Sequence, residues 1–129
     1  MESDVRSDRR YTKDHEWAQG EDEVVVGVTA FAVDQLGDIT LVNLDVKAGD
    51  TVTAGKAFGT IESVKTLSDL FAPVSGTIVR VNGTLEARPE LVNEDPWTEG
   101  WMIAIRPSAP AGDLMDAAAY LKLVQESAH

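Results

Sequence analysis

From Val46 to Gly83 the chain is cut into short β-branched runs by glycines at positions 49, 55, 59, 76 and 83, and the tripeptide Gly-Thr-Ile occurs at both 59–61 and 76–78. That rhythm predicts a compact all-β sandwich or barrel. The same punctuation frames one lysine. "AFGTI" runs as a strand up to Glu62 and Ser63, while "LFAP" leads away, Pro73 blocks a ladder bond and Gly76 opens "TIVRV" as the next strand. Two strands thus flank a short segment centred on Lys65, a hairpin with the lysine at its exposed tip. A lone lysine there is a solubilising charge; it is also open to a modifying enzyme, and acylation removes its charge.

Around this segment, residues 1–10 read as a flexible N-terminus and 11–129 as a single domain, long enough to bury a core without disulfides. Tyr11 and Trp17 bracket a charged stretch at strand-like spacing. Strands are expected over "EVVVGV" (23–28), "ITLVNLDV" (39–46) and "WMIAI" (101–105). A short helix near 29–36 has Thr29 as its cap and Gly37 as its stop, and 84–94 reads as a short helix or loop. Near 113–126 the apolar positions Leu114, Ala117, Ala118, Leu121 and Val124 predict an amphipathic helix packed on the sheet, with Asp113 as N-cap.

A formal charge of −11 argues against a nucleic-acid role and points to protein partners with basic surfaces. No run reaches the roughly 18 apolar residues of a membrane span, and the polar N-terminus lacks a targeting pattern; the expectation is a cytoplasmic chain. With no cysteine, thiolate nucleophiles and Cys-ligated metals are absent, and any redox sulfur must come from a cofactor. His15 could serve as a metal ligand or base, but the only other histidine is His129, so no metal site is expected.

The residues Val46, Gly49, Asp50, Val52 and Gly55, then Lys65, then Ala72, Pro73, Gly76 and Ile78 resemble the two halves of lipoyl and biotinyl carrier domains. Biotin carriers set methionines beside the lysine, whereas Val64 and Thr66 stand here. Four further segments, "YTKDHEW" (11–17), "VGVTAFAVDQLGDIT" (26–40), "ESVKTLSDLFAPVSG" (62–76) and "ELVNEDPWTEGW" (90–101), are similar, in order, to the glycine cleavage H-protein family. That resemblance implies a mainly β, lipoyl-carrier-like flattened barrel or sandwich with lipoic acid amide-linked to Lys65, one per chain.

It implies a non-catalytic monomeric carrier. The lipoylated lysine would accept an aminomethyl group from a pyridoxal-phosphate glycine decarboxylase and carry it to a tetrahydrofolate-dependent aminomethyltransferase. An FAD-containing dihydrolipoamide dehydrogenase would reoxidise it. The alternative within the resemblance is a lipoyl donor for 2-oxoacid dehydrogenases; outside it, an enzyme built on Asp14, Glu16, Glu62 and Asp69. Glu62, Ser63, Val64 and Thr66 flank the lysine where lipoate-attaching enzymes must dock. Glu16 and Asp69 match acids of the family's motif and are expected in a cleft that holds the arm's ammonium. Asp14, where a small polar residue is usual, adds negative charge beside Glu16, and His15 is expected to pack or hydrogen-bond there.

Overall fold

The computed structural model describes residues 5–109 and 114–127. In chain order the elements are β1 (Arg10–Tyr11), β2 (Glu16–Gln19), β3 (Val24–Val28), α1 (Ala30–Leu36), β4 (Ile39–Leu44), β5 (Thr51–Val52), β6 (Ala57–Ser63), β7 (Leu67–Phe71), β8 (Gly76–Val81), α2 (Thr84–Ala87), α3 (Leu91–Glu94), β9 (Ile103–Pro107) and α4 (Ala117–Ser127). They form a six-stranded sheet, β1-β2-β3-β9-β8-β5, and a three-stranded sheet, β4-β6-β7. Neighbouring strands pair antiparallel throughout both.

The core lies between the sheets because alternate residues of each turn inward. Val24, Val26 and Val28 from the larger sheet meet Val42, Leu44, Ile61 and Leu70 from the smaller one in a single apolar cluster. Full burial of each such side chain contributes about 1.5–3 kcal/mol. A second cluster, of Tyr11, Trp17, Phe31, Trp97, Tyr120 and Val124, sits under α4. There the Tyr11 and Tyr120 rings stack with centroids 4.5 Å apart, and the Trp17 ring lies on Gly27, where a Cβ would meet it at 2.6 Å. A side chain at position 27 would therefore displace the indole.

Helix α1 forms as its sequence requires: the Thr29 hydroxyl accepts from the Ala32 N–H, and Gly37, at φ 82°, donates its N–H to the Val33 carbonyl. Elsewhere the structure departs from the sequence-based boundaries. Tyr11 and Trp17 do not share one strand; they face each other across the β1–β2 hairpin. The last strand begins at Ile103 rather than Trp101. The strand returning from Lys65 is β7, paired antiparallel with β6 along its whole length with one register shift between Ala57 and Gly59, and β8 joins the other sheet instead. That switch falls at Pro73, where a ladder donor is missing.

In the described part of the stretch expected to be flexible, 5–10, Arg9 is buried. Its guanidinium lies 4.7 Å from the Trp17 ring centroid and donates to the Trp97 carbonyl at 2.6 Å. Asp113, the expected cap of the last helix, and His129 lie outside the described residues. The Asp116 carboxylate accepts from the Ala119 N–H at 2.8 Å and caps α4. The helix buries Tyr120 and Val124, with Ala118 left exposed. A tyrosine was not read as part of that face from the sequence, yet its hydroxyl is satisfied there, as described below.

Candidate functional site

The β6–β7 pairing ends at Glu62 opposite Leu67, leaving Ser63 to Thr66 to reverse the chain. Ser63 organises that reversal. Its N–H donates to the Thr66 carbonyl at 2.8 Å, and its hydroxyl oxygen accepts from the N–H groups of Lys65 and Thr66 at 3.1 and 3.2 Å. Such side-chain-to-backbone bonds fix a tight turn without glycine. Ser63 is buried in the process, whereas Glu62, Val64, Lys65 and Thr66 are exposed.

The tip does not stand free of the body. Val64 donates its N–H to the Asp38 carbonyl at 3.1 Å, and a Cβ on Gly37 would lie 3.5 Å from Lys65 Cε and 3.8 Å from Val64 Cγ2. The lysine's methylenes therefore run over the end of α1 while its ammonium reaches solvent. Among the described residues that ammonium has no ion-pair or hydrogen-bond partner. An acyl group can join Nζ without breaking an internal contact, so the residue fits an amide-linked prosthetic group.

Glu16 is 2 % exposed, at the start of β2. Its Oε1 accepts from the Thr12 hydroxyl at 2.9 Å and its Oε2 from the Phe71 N–H at 3.0 Å. The carboxyl thus satisfies a backbone donor on β7, the edge strand of the smaller sheet, and ties the two sheets together. Burial pushes its pKa up to about 7, against the lowering pull of the Phe71 and Thr12 hydrogen bonds, with nearby Asp14 raising it further. Asp69 is on the same strand, two residues before Phe71, and exposed. Asp14 is exposed too, in the β1–β2 turn.

His15 occupies that turn at φ 67°. Its Nδ1 is 2.9 Å from the Tyr120 hydroxyl, which in turn lies 2.7 Å from Thr29 Oγ1. Burial lowers the His15 pKa, with Asp14 opposing, and raises that of Tyr120 to about 12. His15, Tyr120 and the α1 cap therefore form one hydrogen-bonded chain beneath Phe31. Among the described residues no cluster of three or more His, Asp or Glu could hold a metal, and no helix is long and apolar enough to cross a membrane.

The structure thus groups the candidates in two places. Glu62, Val64 and Thr66 surround Lys65 at the tip. Glu16, Asp14 and His15 gather at the β1–β2 turn, and Glu16 reaches β7 near Asp69. Sequence reasoning missed Thr12 and the Phe71 N–H as partners of Glu16, and Gly37 as the surface under the lysine; pairings between distant segments left no local signal.

A family model described as "Glycine cleavage H-protein" matches residues 9–127. The chain belongs to the glycine cleavage H-protein family. It is 50% identical over 126 residues to a "Glycine cleavage system H protein" of Anaeromyxobacter sp. (strain K), covering 95% of this chain and 98% of that one. It is 47% identical to the protein of the same description from Nitratidesulfovibrio vulgaris (strain DP4), over 97% of this chain and 98% of the relative. Its fold is that of the crystal structure of a glycine cleavage system H protein from Mycobacterium marinum, with a TM-score of 0.87 at 40% identity, covering 95% of this chain and 99% of that one. The H-protein likeness spans both sheets and α4, well beyond the hairpin.

Proposed function

We propose that this chain is the lipoyl carrier of a glycine cleavage system, loaded on Lys65 and non-catalytic by itself. The observation that carries the reading, within a family so named, is the lysine's position: on a hydrogen-bonded turn, backed by Gly37, with an amine that has no partner among the described residues. When bound, the lipoyl group supplies a disulfide that takes an aminomethyl group from the glycine decarboxylase to the tetrahydrofolate-dependent aminomethyltransferase and is restored by the dihydrolipoamide dehydrogenase. Tethering keeps that group at an effective concentration on the order of millimolar. Working in the cytoplasm as a monomer, the chain meets these enzymes through its acidic surface.

The chain's own residues hold and shield. Ser63 sets the direction of Lys65, and Gly37 leaves room for its methylenes. Glu16 and Asp69 receive the arm's ammonium, with Asp14 adding negative charge and His15 held in place by Tyr120. Glu16 is buried, and burial pushes its pKa up to about 7. An ammonium brought beside it favours the carboxylate, so the site gives up a proton on loading.

The test is intact mass after incubation with lipoate, ATP and a lipoate-attaching enzyme. One lipoyl increment is expected, mapped to Lys65 and abolished in Lys65→Arg. The loaded protein should then support glycine-dependent carbon dioxide exchange by the decarboxylase. Loading without exchange would favour the lipoyl-donor role over this one, and no loading would refute the carrier reading.

A further inference from the structure

On the outer face of the smaller sheet, Leu41, Glu62 and Leu67 are direct cross-strand neighbours, in the last paired row before the Lys65 turn. Leu41 is 45% exposed and Leu67 61%. Leu41 faces outward because β4 breaks register between Ile39 and Leu41, with Thr40 as the extra residue. Its hydroxyl donates to the Glu62 carbonyl at 3.2 Å. Strict alternation from buried Ile39 would send residue 41 into the core; the bulge reverses the phase, so Thr40 and Leu41 are both exposed and Val42 is buried. A bulge at this point re-aims a leucine toward solvent, and Val64, 68% exposed, extends the apolar surface toward the tip.

We propose that this row is a docking surface for the enzyme that acylates Lys65, whose apolar sockets take Leu41 and Leu67 while a basic side chain sits over Glu62. The proposal rests on Lys65 being the attachment site. Geometry selects this occupant. An enzyme forming a bond at Nζ must bring its own atoms against the lysine side chain, so it also covers the row beside the turn, which spans about 10 Å across three strands. Enzymes acting on the far end of a long arm have no such need. Charge agrees: Glu62 at the centre, with exposed Asp38 just before β4 and exposed Asp69 two residues along β7 from Leu67, suits a basic rim.

The experiment uses the full-length unloaded protein with a lipoate–protein ligase, lipoate and ATP. Leu41→Ser and Leu67→Ser should each raise KM for the carrier by roughly tenfold with kcat unchanged, the size of a lost interface anchor. Melting temperatures of both variants should match the parent, since neither side chain is in the core. Loading within about twofold of the parent for both variants would overturn the surface while leaving the carrier reading intact. Normal loading with impaired carbon dioxide exchange after loading would overturn it too, by assigning the row to the decarboxylase. A parent protein that cannot be loaded at all would overturn the carrier reading and this surface together.

Discussion

At the aromatic corner Tyr11, Trp17 and Tyr120 are at most 1% exposed. Their polar atoms all have partners: the Arg6 carbonyl for Tyr11, the Pro96 carbonyl for Trp17, and Thr29 and His15 for Tyr120. At the Lys65 tip the apolar groups Val64 and Leu67 face solvent, and among the described residues the ammonium is unpartnered. The contrast separates stability from display. Burial and satisfied hydrogen bonds at the corner hold the N-terminal hairpin, α1 and α4 together. The tip is held by backbone hydrogen bonds and by the buried Ser63 hydroxyl, so its exposed side chains remain available to a partner.

The strongest way to break this contrast is at the corner. Trp17→Ala removes the indole between Arg9 and Gly27 and should cost about 3–5 kcal/mol in urea unfolding, while lipoylation of the remaining folded protein proceeds at the parent's rate. A loss below about 1 kcal/mol would show that the corner is not the stabilising region.

Glu16, which reaches from β2 beside the corner to the Phe71 end of β7, gives a pH signature. Its folded pKa, about 7, lies above the ordinary glutamate value of 4.5. The folded state therefore holds the extra proton between those values; the stability it contributes is full below about pH 4.5 and is lost as pH rises through about 7. The loss amounts to about 3 kcal/mol. Glu16→Gln, which stays neutral, should flatten that part of the stability–pH curve, and an unchanged slope would assign the effect to another group.

The smallest effect is expected at the tip. Ser63→Ala should cost about 1 kcal/mol or less. Its clearer readout is faster amide hydrogen exchange at Lys65 and Thr66, with the aromatic corner unaffected; equal protection in both proteins would mean that the turn holds without the hydroxyl.

The paired strands and α1 were legible because they follow from local rules. Val24–Val28 is β-branched, Thr29 and Gly37 bracket the helix, and glycine and proline mark the turns around Lys65. The partner of the hairpin's first strand was not legible. Leu67–Phe71 alternates weakly, with Leu67 exposed and Leu70 buried, and only pairing with β6 makes it a strand. Among the site residues, Lys65 and its exposed neighbours stood out in the sequence. Glu16 did so only as an acid that matches the family's motif; its burial against Phe71 comes from a contact between segments far apart in the chain.

The sequence by itself therefore determined the β-rich architecture, the display of Lys65 and, through four segments in order, the family. These are properties of short stretches, set by backbone preference and side-chain period. Tertiary structure decided which strands share a sheet, that Glu16 is buried with a raised pKa, that Arg9 lies over two tryptophan rings, and that Leu41 faces out beside Glu62. Each depends on the position of a second segment, because burial, cross-strand register and desolvation are properties of pairs in space.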